Sequence, residues 1–421
     1  MGLFTKSFTY RIYEFLFLAL AVAFPIHDKL APPIISLIGI NWILELNFLE
    51  KYRRIMSFKG SRYLLGFAVL YVLYMIGTLY SDNLHGPYGA LFNLEVKMSL
   101  WVFPLLFSTI DFERFGPRFR TRILKSFMIG CLISLVIALN KAVFNYFQTE
   151  TTDVFYYVAL AYPQHPSYLA LFYVFAIAVL LGWIFLNIGR NVSKRNLAFL
   201  VILVLQFFIV LLSSKAGILS VMLLYVISIV YHLVYREERK GTRTIITSLL
   251  LVLFLLNLSF FPRSYSRFYN AESALENEPE ATSQESSVAR ILVWQSSLEI
   301  IRENPLFGVG TGDVEPELMK VYKKNDIQFA MDENLNAHNQ YLQTYLALGI
   351  PGFAFLLACL AIPAWFAFRR KHLLYLAFLS IFAFNILVES MLERQAGVVF
   401  YAFLNSFLFY YSFREGESSG H

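Results

Sequence analysis

The chain has 421 residues, of which 57% are hydrophobic and only 15% charged, and its mean hydropathy is +0.56. Water-soluble domains do not carry that balance, so soluble enzyme and soluble binding-module classes are excluded at once. The formal charge of +6 is scattered in short clusters between apolar runs rather than along one face, which argues for a membrane topology signal and against nucleic acid as a partner.

Apolar runs of the length needed to cross a hydrocarbon layer of ~30 Å recur along the whole chain. They predict helices at 12–26, 30–48, 63–80, 94–110, 123–147, 168–188, 197–212, 216–235, 245–261, 352–368, 373–388 and 397–413. The expected fold is therefore an all-α polytopic membrane protein of about 12 transmembrane helices. The first run follows Lys6 and Arg11 and has no small-residue cleavage site, so it reads as a retained helix. Glu95 and Lys97 shorten the wholly apolar part of the fourth. Cys131 and Cys359 lie inside apolar runs, which points away from a disulfide framework or a thiolate metal site.

Charge asymmetry orients these helices. With the amino terminus cytoplasmic, 23 of the 35 Lys and Arg fall in inner-side segments and 5 in short outer ones, and 7 lie in one long outer loop that the positive-inside rule exempts. Both termini are then cytoplasmic. The chain divides into helices 1–9 over 1–261, a large periplasmic loop with an interfacial helix over 262–351, and helices 10–12 with a short tail over 352–421.

Within the long loop, Glu272 to Glu285 is rich in Glu, Ser, Asn and Pro and too polar to build a core. Val288 to Glu303 places Ile291, Trp294, Leu298 and Ile301 at helical spacing, and Asn304-Pro305 ends that helix. A second short helix is expected over about Asp313 to Lys324. Between them, Gly308, Gly310 and Gly312 alternate in a turn that either packs closely against other backbone or offers amides to an anion. The spacing is not that of a dinucleotide fingerprint.

Five further places carry chemistry. The segment from Asn336 to Gly352 begins polar, becomes apolar at helical spacing and is broken by Gly349-Ile350-Pro351-Gly352 just before a membrane run. His338 stands at its mouth, as a proton acceptor near neutrality or as a loop residue that bonds backbone. Lys215, in the tight Ser213-Ser214-Lys215-Ala216-Gly217 hairpin between two apolar runs, either snorkels to the interface or meets an anion that offsets its placement there. Arg290 opens the amphipathic loop helix as a surface residue or a second cation. Glu389 pairs with Arg394, the favoured reading, or orients a catalytic group, and His165 is a weaker candidate in a helix-entry turn. No metal ligand set stands out beyond the thin Asp313-Val314-Glu315 hint.

Taken together, the Pro305-Leu306-Phe307-Gly308-Val309-Gly310 turn, the polar loop, His338-Asn339-Gln340-Tyr341-Leu342 and the Leu348-Gly349-Ile350-Pro351-Gly352 break resemble the C-terminal signature of the O-antigen ligase and polymerase superfamily. The Ser-Lys hairpin, the Arg290 to Trp294 segment and the many-helix layout add to the likeness, with a ligase-like member the leading match. The resemblance implies a glycosyltransferase acting on an undecaprenyl diphosphate-linked glycan donor at the periplasmic face of the bacterial inner membrane. The acceptor would be lipid A core or another glycan, and membrane lipids would be the remaining partners. It maps the catalytic histidine onto His338 and the essential cations onto Lys215 and Arg290, with Asn339, Tyr341, Glu389, His165 and the three glycines in support. At Lys215 the family more often has Arg, so a bidentate fork is lost there. A lipid diphosphate is already a good leaving group, so the chemistry needs charge stabilisation and a proton acceptor, and neither a metal nor another cofactor. A polymerase joining lipid-linked repeat units is the alternative; a flippase fits less well, because Glu14, Glu45 and Lys141 stay toward helix ends.

The orientation has a direct test. Cysteine placed at Glu278 should react with an impermeant reagent in intact spheroplasts, and cysteine placed at Arg239 should not; the reverse pattern overturns the topology.

Overall fold

The computed structural model describes residues 6–162, 164–186, 192–235 and 286–418, with single helical residues at 248, 251, 252 and 255. The expected span at 245–261, the polar stretch from Glu272 to Glu285 and the two labelling positions, Arg239 and Glu278, lie outside the described residues. Every regular element among the described residues is a helix.

Eight of these helices are long and apolar enough to cross a membrane, or nine if the broken pair Asp28–Leu44 and Phe48–Ser57 counts as one. Two shorter apolar helices, Lys215–Val230 and Leu373–Asn385, add to them. The expected span at 30–48 is the broken pair: Leu46 takes a left-handed conformation at φ 55°, and the stretch that had read as an inner loop forms the amphipathic helix Phe48–Ser57. The fourth span begins at Ala90, so Lys97 sits well inside the 90–109 element and not near its start. Buried ionisable side chains there require partners.

Contacts divide the chain into two units. The first comprises Met1–Leu46, Phe112–Arg267 and Ala367–Asn385. Pro166–Leu186 is its centre, an all-apolar helix with almost every residue buried against Val192–Leu211, Lys215–Tyr235 and Leu373–Asn385. Lipid tails are as apolar as leucine, so close approach and hydrogen bonds decide which helices associate. Gly130 accordingly lies where a Cβ would come 2.3 Å from the Val22 carbonyl oxygen, and Asn385 donates to Ser220 Oγ at 2.8 Å.

The second unit comprises Asn47–Asp111, Phe268–Phe366 and Ile386–His421. Its buried helix is Gln395–Ser418, packed on Ser99–Thr109 and Ser61–Phe67 through Phe403, Phe407 and Tyr410 against Phe103 and Phe107. Two helices, Ser286–Glu303 and Val314–Lys324, form close to where the sequence spacing predicts them, and in the fold they pack on each other.

The glycine-rich segment from Pro305 to Asp313 organises this unit. The helix Gln340–Arg369 is interrupted at Gly349, with φ 61° and ψ −153°, a conformation essentially reserved for glycine. In a continuous helix the Leu346 carbonyl would accept from Ile350 and that of Ala347 from Pro351, which has no N–H. The segment supplies both missing donors: Val309 N–H bonds Leu346 O at 2.8 Å and Gly310 N–H bonds Ala347 O at 3.0 Å. Ile350 N–H in turn bonds Pro305 O at 3.2 Å. Further on, Thr311 donates from its backbone to Gly77 O and from Oγ1 to Tyr74 O, which satisfies the end of the Val69–Thr78 helix. Gly312 N–H bonds Ser81 Oγ, and the Asp313 carboxylate accepts from the backbone amides of Asp82 and Asn83 at 2.9 and 2.8 Å. Of the two readings of the three glycines, close packing is the one realised. The amides that would have cradled an anion are consumed by helix ends.

Gly349 tests this arrangement, because a Cβ there would lie 2.3 Å from Leu306 O. Gly349→Ala should cost about 1–3 kcal/mol from backbone strain alone and lower the thermal midpoint in detergent. Gly182→Ala, with nothing within 4 Å of the added carbon, should leave it in place.

Candidate active site

The broken helix begins at a turn that the sequence specifies tightly. Asn339 caps it, its Oδ1 accepting from Tyr341 N–H at 2.9 Å and Leu342 N–H at 3.2 Å. One residue earlier, His338 sits at φ 43°, a region that non-glycine residues seldom occupy. Neighbouring side chains hold it there: Asn336 Oδ1 accepts from His338 N–H and Gln343 Oε1 from Ala337 N–H, both at 3.0 Å. Strain maintained by surrounding bonds is a mark of a functional position.

Facing this turn is the segment from Ile386 to Glu393, which follows the Leu373–Asn385 helix. That helix ends three residues earlier than the expected 388, so Glu389 lies in a turn and not at a helix end. Gln340 N–H bonds Ile386 O at 2.8 Å, and Asn339 N–H bonds Ser390 Oγ at 3.2 Å. These bonds set Glu389 Oε1 3.0 Å from His338 Nδ1. The partner favoured from sequence proximity was Arg394; in the fold the carboxylate meets the histidine, 51 residues away. With Glu389 ionised it can only accept, so Nδ1 carries the proton and Nε2 is left as the basic nitrogen. The pair is neither sealed nor fully exposed, with side-chain accessibilities of 26% for His338 and 10% for Glu389.

Behind the pair lies a buried polar network. Gln340 accepts from Leu392 N–H at 2.6 Å and donates to Glu393 Oε1 at 2.9 Å. Glu393 Oε2 meets Lys97 Nζ at 2.6 Å, where the two side chains are 8% and 0% exposed. Lys97 also donates to Asn93 Oδ1 at 2.9 Å and lies over the Tyr74 ring, 4.8 Å from its centroid. A buried ion pair is tolerated when additional bonds satisfy both members, and here they do. The expectation that the helices keep their charges toward their ends does not hold for Lys97. The sequence shows Lys97, Gln340 and Glu393 as isolated polar residues in apolar surroundings, and their mutual spacing of tens to hundreds of positions conceals the network.

The remaining residues are placed as follows. Tyr341 lies in the first turn of the broken helix. Arg290 is half-buried on Ser286–Glu303, in the same unit as His338. Lys215 belongs to the first unit and is the first residue of Lys215–Tyr235; Ser214 caps that helix by accepting from Gly217 N–H at 3.1 Å. His165 is also in the first unit, in the turn that opens Pro166–Leu186, where its Nδ1 accepts from Ser167 N–H at 3.4 Å. In the second unit a polar cleft of about 680 Å³ opens beside the glycine-rich segment, lined among others by Tyr80, Asp82, Asn83, Asn304 and Glu317. The sequence contains no local signal for it, because its walls come from segments more than 200 residues apart.

Comparison with known proteins bears on this site. A protein of Haemophilus influenzae described only as an uncharacterized protein is 25% identical over 146 residues, covering 32% of this chain and 37% of that protein. The chain thus spans little more than a third of the length of that relative. A family model described as O-antigen ligase matches residues 197–357, an interval that contains Lys215, Arg290, the glycine-rich segment and His338. Over that interval, and with it the motifs from Lys215 to Gly352, the chain is similar to the O-antigen ligase superfamily.

Proposed function

We propose that this multi-pass membrane protein is a glycosyltransferase of the O-antigen ligase type. In this reading it moves a polysaccharide from an undecaprenyl diphosphate carrier to a sugar hydroxyl of lipid A core, at the periplasmic face of the bacterial inner membrane. The observation that carries the reading is the His338–Glu389 pair, held at 3.0 Å through Nδ1 on a strained turn, which leaves Nε2 as the nitrogen that can face an acceptor. Eleven apolar elements among the described residues, counting the broken pair as one, support a multi-pass membrane protein, and the basic-residue asymmetry of the sequence favours twelve crossings with both termini cytoplasmic.

The reaction is a direct displacement. His338 Nε2 takes the proton of the acceptor hydroxyl as its oxygen attacks the anomeric carbon. The bond from that carbon to the diphosphate oxygen breaks, the carrier leaves with the electron pair, and the configuration inverts. Glu389 stabilises the imidazolium that forms, and Arg290 meets the charge developing on the diphosphate, a role that the family resemblance gives to Lys215 as well. Lys215 suits that role because a cation in the first turn of a helix is opposed by the helix dipole, by about 0.3–1 kcal/mol. An anion bound there interacts favourably with both. The polymerase reading uses the same chemistry on a second lipid-linked unit.

Two substitutions test the proposal. His338→Ala should leave the protein inserted and reduce transfer by ~10²-fold to 10⁴-fold, with long lipid-linked glycan accumulating while the acceptor stays bare. Accumulation of single repeat units would indicate the polymerase, and material stalled on the cytoplasmic side a flippase. Normal transfer by a well-expressed variant would remove His338 from the mechanism. Lys215→Arg should keep much of the activity and Lys215→Ala should lose most of it; an alanine variant equal to wild type at matched expression would end the anchor role.

A further inference from the structure

Glu315 has no part in the chemistry above, yet it is the most unusually placed carboxyl in the second unit. As the second residue of Val314–Lys324 it occupies a first-turn position where acidic side chains are normally exposed and favoured by the helix dipole. Here the residue is 8% exposed. Its Oε1 accepts a long bond, 3.4 Å, from Gln343 Nε2, and its Oε2 has no hydrogen-bond partner among the described residues. A buried carboxylate with an unmatched oxygen is costly; a neutral carboxyl is much less so.

Gln343 connects this group to the site. Its Oε1 accepts from Ala337 N–H at 3.0 Å while its amide nitrogen reaches Glu315, so one side chain spans from Glu315 to the backbone that holds His338 at positive φ. We infer that Glu315 is a positioning residue for His338 that acts in its neutral form, through Gln343, on the Ala337–His338 turn. The inference rests on the reading of His338 as the proton acceptor.

The groups around Glu315 favour that protonation state. Burial raises its pKa first and the nearby Glu393 carboxylate raises it further, while its own backbone N–H, Lys97 and the Gln343 bond oppose them incompletely, so the carboxyl is pushed up to about 7. The Tyr74 and Tyr322 hydroxyls face it, and burial pushes that of Tyr322 up as well. Of the charges on and beside the helices packed on Val314–Lys324, Glu299 pairs with Lys324, Arg302, Glu303 and Glu333 are exposed, Asp332 accepts from Gln328 and Arg290 is half-buried. Ionisation of Glu315 would set a second carboxylate against Glu393, which already holds Gln340 and Lys97, and disturb both supports of the turn.

The test compares Glu315→Gln, which fixes the neutral shape, with Glu315→Leu, which cannot accept from Gln343. Transfer by the wild type should decline as pH rises through about 7. Glu315→Gln should keep most of the activity at pH 6 and lose that decline, while Glu315→Leu should lower kcat roughly 10-fold to 100-fold with donor KM little changed. A readout independent of transfer is the thermal midpoint. Because folding raises this carboxyl's affinity for its proton, its contribution to stability is complete below the ordinary carboxylate pKa and is lost as pH rises toward 7. The wild-type midpoint should fall across that window more than that of Glu315→Gln. Inactivity of a folded Glu315→Gln protein, or pH profiles identical to wild type in both readouts, would overturn the inference. If the wild type transfers no glycan but its midpoint still titrates through Glu315, the proposed reaction fails and the buried proton stands.

Discussion

The second unit depends on one interruption, the loss of helical hydrogen bonding at Gly349–Pro351. Proline cannot donate and glycine alone adopts the conformation required, so two carbonyls at the end of residues 340–348 must find donors elsewhere. The glycine-rich segment from Pro305 to Asp313 provides them and, a few residues further on, satisfies the end of Val69–Thr78. Three segments distant in sequence are thereby fixed in register through backbone bonds. Gly308, Gly310 and Gly312 are small because a Cβ at each would fall within 2.5 Å of a neighbouring atom, the Leu346 oxygen, Ser81 Oγ and the Asn83 oxygen respectively.

With that end of the helix secured, the other end can bear strain. His338 is held at positive φ by side chains of its own segment and by the turn from Ile386 to Glu393. That turn is itself anchored by the Lys97–Glu393 pair, which has one buried cation, one buried carboxylate and a glutamine completing their bonds. Membrane burial makes such a network all or nothing, because a lost partner leaves a charge in apolar surroundings. The rigidity this imposes suits a proton acceptor that must meet a hydroxyl at hydrogen-bond distance.

The same physics distinguishes the two kinds of charge in this protein. Lys97 is enclosed and matched, so it builds structure. Lys215 stands at the start of a helix whose dipole disfavours it, in the interval that matches the O-antigen ligase model, which is the position the proposed anchor role requires.

Much of this was legible in the sequence. Hydropathy and run length determined that the chain crosses a membrane repeatedly, since ~20 apolar residues have no other low-energy solution. The stop at Asn304-Pro305, the helix from 286 to 303 and the break before Gly352 followed from proline, glycine and helical period, which are properties of neighbouring residues. What the tertiary structure alone decided was which polar groups meet. Glu389 lies five residues from Arg394 and 51 from His338, and sequence proximity favoured the wrong partner; Glu315 entered the sequence reading only within a thin cation hint, and its burial belongs to the fold. The reason is that local pattern encodes backbone conformation and facing, whereas hydrogen bonds between buried side chains depend on the packing of segments whose separation along the chain has no periodicity to read.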